Sequence, residues 1–180
     1  MTPDLPATAR LFFALWPDAR LRGALLERQR HWQWPRRARP TAAAKLHATL
    51  HFLGDVPRER IPELLALRAG LSPGPYGALR LDTATLWRGG IAVLESAAPP
   101  AGLAELQARL GTLLRLEGFA TESAARFRPH VTLARAAQGA RPPDAVEPID
   151  WLADEVVLVE SRRGSPDGYL VLSPGGPGAA

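Results

Sequence analysis

A chain of 180 residues with 46% apolar content can bury an ordinary core, so one domain or two small lobes are expected and disorder is not. Its 22 basic residues outnumber 18 acidic ones, and Lys45 is the only lysine; the planar arginine fork suits phosphate, so a polyanionic partner fits, as does the arginine bias of a GC-rich genome. Having no cysteine excludes disulfides, thiolate zinc sites and a thiol nucleophile, and no stretch reaches the roughly 18–20 apolar residues that span a bilayer.

Residues 1–8 carry two prolines and no periodicity, which predicts a loose end. The run 10–16 (Arg-Leu-Phe-Phe-Ala-Leu-Trp) reads as a buried strand closed by Pro17-Asp18; it is too short for a signal peptide, and the cytoplasm is the expected location. Asp18 can cap a helix reaching about Trp32, with Leu21, Leu25 and Leu26 inward. Residues 34–41, with two prolines and three arginines, read as an exposed connection. A strand is expected over 45–53, ending at Gly54-Asp55, then a helix over 57–69 with Pro62 in its first turn. Leu79, Leu81 and Thr83 alternate through one strand to Trp87, and Arg88-Gly89-Gly90 turns it into a hairpin with 91–95. Leucines 103, 106, 110, 113 and 114 predict a helix over 101–116 that stops at Gly118. Strands follow at 127–135 and 151–160, and a turn at 165–168 returns 169–172 as a hairpin before a Gly/Pro tail over 173–180. This order suggests an α+β chain of two pseudo-duplicated lobes rather than a doubly wound sheet.

Two of the four histidines occupy the same frame, His-x-Thr-Leu, at 47–50 and again 83 residues later at 130–133. Alternation on a strand puts His47 and Thr49 on one face with Leu46, Ala48, Leu50 and Phe52 behind; His130 and Thr132 are likewise backed by Val131 and Leu133. Two imidazoles flanking one bond can act as acid and base, while the threonine hydroxyls and Arg135 donate to anionic oxygens. Strict alternation puts Arg135 on the wrong face, so it reaches the site only if the strand ends or bulges there. His51 shares the face of His47 and Thr49 and is expected at the cleft rim. A metal pair of His47 and His51 would need a helix; on a strand, residues four apart lie roughly 13 Å from each other. His31 reads as a surface residue. No Gly-x-Ser-x-Gly, P-loop or dinucleotide fingerprint occurs.

These motifs resemble those of the 2H phosphoesterase superfamily, most of all the RNA 2′,3′-cyclic phosphodiesterases, also called 2′-5′ RNA ligases. The likeness covers the N-terminal Arg-Leu-Phe-Phe-Ala-Leu run, His-Ala-Thr-Leu-His-Phe-Leu-Gly at 47–54 and Phe-Arg-Pro-His-Val-Thr-Leu-Ala-Arg at 127–135. It implies one bilobal domain over residues 1–180, with two antiparallel sheets lining a central cleft, helices outside, and neither metal nor cofactor. It further implies hydrolysis of RNA 2′,3′-cyclic phosphate ends to 2′-phosphates, with His47 the proton donor, His130 the acceptor, and Thr49, Thr132 and Arg135 on the phosphate. Reversible 2′-5′ ligation would follow. His51 departs from the Lys or Arg that such motifs often carry. A monomer acting on RNA ends is expected. The alternatives are a phosphodiesterase of small cyclic nucleotides or 2′-5′ oligonucleotides, and an RNA-end binding module without turnover.

Overall fold

The computed structural model describes residues 6–121, 127–162 and 168–173. The first apolar run forms β1 (Thr8–Leu15). Asp18 then caps α1 (Ala19–Arg30), its carboxylate accepting from the Leu21 N–H at 2.7 Å. Leu25 is fully buried and Leu21 and Leu26 pack partly against the core, the face that their spacing predicts. The connection after α1 is not featureless: β2 (Arg39–Pro40) adds two residues to the sheet. β3 (Ala48–Pro57) begins later than expected because a 3-10 turn occupies Ala43–Lys45. It also runs past Gly54, which takes φ 73°, to end opposite Thr8.

A second 3-10 turn, Arg58–Arg60, leads into α2 (Ile61–Ala69), with Pro62 in its first turn. The strand expected from Leu79 to Trp87 is two, β4 (Ala78–Leu81) and β5 (Thr83–Trp87). Asp82 divides them, its carboxylate accepting from the Thr83 hydroxyl and the Ala97 N–H, both at 3.0 Å. β5 turns into β6 (Ile91–Glu95) through Gly89 and Gly90, both left-handed with φ 81° and 74°, where glycine is unstrained. α3 (Ala101–Leu116) buries Leu103, Leu106, Leu110 and Leu114. β7 (His130–Arg135) is the second motif strand. The strand expected over 151–160 is also two, β8 (Ile149–Leu152) and β9 (Val156–Ser161), and β10 (Tyr169–Leu172) pairs with β9. Residues 165–167 of the expected turn, and 1–5 and 174–180 of the expected tails, lie outside the described residues.

Every pairing among these strands is antiparallel. The large sheet runs β10-β9-β1-β3-β7-β6-β5, with β2 also on β7, while β4 and β8 pair separately. Its centre is its thinnest joint, because β3 meets β7 through one pair, Ala48 with Val131. The sheet is thus two antiparallel four-stranded sheets, β10-β9-β1-β3 and β2-β7-β6-β5, fastened at that pair. The main core lies on one side, where Leu11, Phe13, Val131 and Leu133 meet Leu25, Leu64 and Leu110 of the three helices. The buried Gln29 amide ties α1 to the second sheet, donating to the Thr41 and Leu133 carbonyls at 2.9 and 2.7 Å. On the other face Phe12, Ala14, Val157 and Val159 form a smaller apolar patch beside Trp16 and Tyr169.

Candidate active site

The face of each motif strand is set by a bulge. In the β1–β3 ladder Ala14 pairs with Thr49 and Phe13 with His51, so Leu50 is passed over. In the β6–β7 ladder Val93 pairs with Thr132 and Ala92 with Ala134, so Leu133 is passed over. The two motifs therefore bulge at the same leucine. Before it, His47 and Thr49, and His130 and Thr132, face the cleft as alternation requires. Beyond it the alternation is shifted by one residue.

That shift decides three residues. Arg135 returns to the cleft and lines it, through a bulge of the kind that alternation alone would have denied it. His51 goes the other way, which corrects its expected place at the rim: it is 2% exposed, and its Nε2–H donates to the Gln107 carbonyl of α3 at 2.8 Å. Phe52, expected in the core, instead lines the cleft and is 38% exposed, with the Arg10 guanidinium 4.7 Å above its ring. Phe52 thus holds in the first motif the position that Arg135 holds in the second. His31 is exposed beside Glu27, as expected.

Each catalytic candidate is oriented in the same way. The His47 Nδ1–H donates to the Lys45 carbonyl at 2.7 Å, and the His130 Nδ1–H donates to the Arg128 carbonyl at 2.7 Å. A carbonyl only accepts, so in the neutral rings the proton sits on Nδ1 and Nε2 is the working atom of both. Thr49 lies 3.0 Å from the His47 Nε2, to which its hydroxyl can donate. Extending the Ala48–Val131 register by one residue each way sets His47 toward Thr132 and His130 toward Thr49. The two motifs thus meet as a pseudo-twofold pair about a small cavity of about 250 Å³.

Around the rings the symmetry ends. His47 sits in an aromatic box, stacked on Trp16 at 5.8 Å, with Phe12 at 4.8 Å and the edge of Tyr169 at 5.4 Å. Burial there pushes its pKa down to about 4, against its bond to the Lys45 carbonyl, with smaller contributions from the repulsion of His130 and Arg135. The His130 ring packs at a tilt of 54° against Trp87, with ring centres 4.4 Å apart. Burial lowers its pKa too, but the Arg128 carbonyl and the nearby Glu95 carboxylate oppose the shift. Glu95, itself buried, also accepts both Arg128 bonds, at 2.9 and 2.7 Å.

Sequence reasoning missed the aromatic box, the Glu95–Arg128–Trp87 support, and Arg10, Lys45 and Thr41 along the cleft. Alternation from Arg10 and Phe12 on β1 to Trp16 just past its end marks one wall, but pairs with β9 and β10 had to be known to add Tyr169. Among the described residues no three of His, Asp and Glu cluster as a metal site. A larger groove of about 810 Å³ lies between α1 and β8, and neither histidine lines it.

The sequence and the fold match known proteins over most of the chain. The family model of the 2′-5′ RNA ligase superfamily matches residues 19–165. An RNA 2′,3′-cyclic phosphodiesterase of Escherichia coli K12 is 38% identical over 73% of this chain and 74% of its own. One from Thermus thermophilus is 33% identical over 91% and 87%. Among solved structures, E. coli LigT complexed with 3′-AMP aligns at a TM-score of 0.74 and 31% identity, covering 92% of this chain and 96% of that one. A second structure, described as a phosphoesterase, gives a TM-score of 0.76 at 32% identity, covering 92% of this chain and 96% of that one. Facing His-x-Thr strands, the bilobal antiparallel fold and these relatives agree: the chain belongs to the 2′-5′ RNA ligase superfamily.

Proposed function

We propose that the chain hydrolyses RNA 2′,3′-cyclic phosphate ends to 2′-phosphates, using His47 and His130 as its acid and base. The observation that carries this reading is the pair of Nε2 atoms, each aimed into one cleft by a backbone carbonyl two residues upstream. In-line attack needs groups on opposite sides of phosphorus. A water loses its proton to one imidazole and its oxygen bonds to phosphorus. The bond from phosphorus to the 3′ oxygen breaks, and that oxygen takes a proton from the other ring. Thr49, Thr132 and Arg135 hold the non-bridging oxygens, where negative charge builds.

His47 is the donor and His130 the acceptor. The stronger depression of His47 makes its imidazolium the stronger acid, whereas Glu95 leaves His130 the better base. The negative charge of the bound phosphate favours the charged form of His47, which the empty site disfavours. With a 5′-hydroxyl in place of the water, the same proton transfers form a bond from its oxygen to phosphorus as the bond to the 3′ oxygen breaks, giving 2′-5′ ligation. The cavity takes little more than one nucleotide, so small cyclic nucleotides are also turned over. The chain acts as one bilobal domain, a cytoplasmic monomer; no helix among the described residues is long and apolar enough to cross a membrane.

Alanine at His47 or at His130 is expected to lower turnover at least about a hundredfold. Activity retained above that level in both variants sinks the acid–base reading. A nitrophenyl phosphodiester, whose leaving group needs no proton, separates the roles: it should restore turnover to His47→Ala and not to His130→Ala. Restoration of His130→Ala alone would reverse the assignment.

A further inference from the structure

Among the described residues seven arginines meet a carboxylate: Arg28, Arg30, Arg58, Arg60, Arg80, Arg128 and Arg162. Among the described residues, none of these ion pairs includes Arg36, Arg37, Arg39 or Arg135, and those four lie together. β2 pairs with β7 so that Arg39 stands directly opposite Arg135. Cross-strand partners share a face, so Arg39 projects from the face on which Arg135 enters the cleft. Thr41, two residues on, lines the cleft as well. Arg36 and Arg37 sit in the turn that feeds β2, closed by the Ala38 N–H donating to the Pro35 carbonyl at 2.9 Å, and both are exposed.

Like charges directly opposite on neighbouring strands, about 5 Å apart, destabilise a sheet. Here the cost is carried in a well-anchored place, since Thr41 N–H donates to the Leu133 carbonyl at 2.8 Å and Gln29 bonds both carbonyls from below. A polyanion lying across them would relieve that repulsion.

We propose that Arg39, Arg37 and Arg36 form a track for the single-stranded RNA leading up to the cyclic end, continuing from Arg135 over the β2 edge. The proposal rests on the reading of the cleft as a site for RNA ends. The occupant is RNA because only a ribose carries the 2′ oxygen that closes a 2′,3′-cyclic phosphate. The cavity of about 250 Å³ is small, so a longer chain must leave it, and past Arg135 the β2 edge continues as a row of three exposed arginines. These contacts neutralise phosphates without reading bases, so they add affinity and salt dependence for polymers far more than for a mononucleotide.

The test uses the full chain with all three arginines changed, Arg36→Gln/Arg37→Gln/Arg39→Gln, and a second variant with lysine at the same positions. Binding of a fluorescent ten-nucleotide RNA ending in a 2′-phosphate, the reaction's product, is followed by anisotropy across a salt series. Losing three phosphate contacts flattens the plot of log affinity against log salt by about 2, at about 0.7 per phosphate for a single strand. The lysine variant keeps the wild-type slope. The kcat/KM for a mononucleoside 2′,3′-cyclic phosphate changes much less than the RNA affinity in both, since of the three only Arg39, opposite Arg135, comes near that substrate. An unchanged slope in the glutamine variant overturns the track. So does an equal loss in the lysine variant, or a matching loss on the mononucleotide. Absence of turnover in the wild type would sink the proposed reaction instead, while product binding would still judge the track.

Discussion

Trp16, Phe12 and Tyr169 close around His47 and leave its ring little water, so protonation in the fold is resisted. An unfolded histidine binds its proton near pH 6.5, and the folded His47 only near pH 4. Between those values the unfolded chain holds more protons, so stability is complete above pH 6.5 and falls as pH drops toward 4. The loss by pH 5 is about 2 kcal/mol, above the range in which most carboxylates titrate. Urea unfolding at pH 7.5 and pH 5 measures it, and His47→Gln should remove most of the difference. An undiminished pH dependence in that variant would place its origin elsewhere. His130 shifts in the same direction and adds to the effect in the wild type.

At the scale of elements, the glycine at the middle of α3 shows how closely a helix sits on the motif strand. A methyl group at Gly111 would lie 2.8 Å from Cε1 of His51, whose ring is fixed by the Gln107 carbonyl. Alanine would gain up to about 1 kcal/mol of helix propensity and lose about 1–3 kcal/mol to overpacking. Gly111→Ala is therefore expected to be net destabilising in a denaturant titration, and His51→Ala in the same background should recover part of the loss. This contact also explains what the sequence could not show. Alternation placed His47, Thr49, His130 and Thr132 correctly up to Leu50 and Leu133, and failed just beyond them. A bulged leucine looks like any other leucine; helix packing behind the strand, not residue type, sends His51 inward and Phe52 outward. The same limit joined β4 to β5, since apolar alternation runs unbroken through Asp82 and only that carboxylate's bonds to Thr83 and Ala97 end the ladder. The long leucine stripe of α3 and the capped start of α1 were legible because local chemistry alone decides them.

For the whole molecule, the cleft belongs to both four-stranded sheets, with His47, Thr49 and Phe52 on one and His130, Thr132 and Arg135 on the other. An anion between them should bind the folded chain alone and raise its melting temperature; at a hundred times its dissociation constant inorganic phosphate contributes about 2.7 kcal/mol. Because both rings are held below their ordinary pKa, binding takes up protons, and the shift should be larger at pH 6 than at pH 8. Thermal melts across a phosphate series at both pH values check the sign; a larger shift at pH 8 contradicts it. The lone pairing of Ala48 with Val131 has a mechanical sequel, because each partner directly follows a motif histidine, His47 or His130, in the chain. The two imidazoles ride next to the pivot, and Phe52 and Arg135 ride farther out along the arms. Any rocking of one sheet against the other about that pair would displace the rim more than the rings. The mouth would then widen while the spacing of His47 and His130 stays nearly constant.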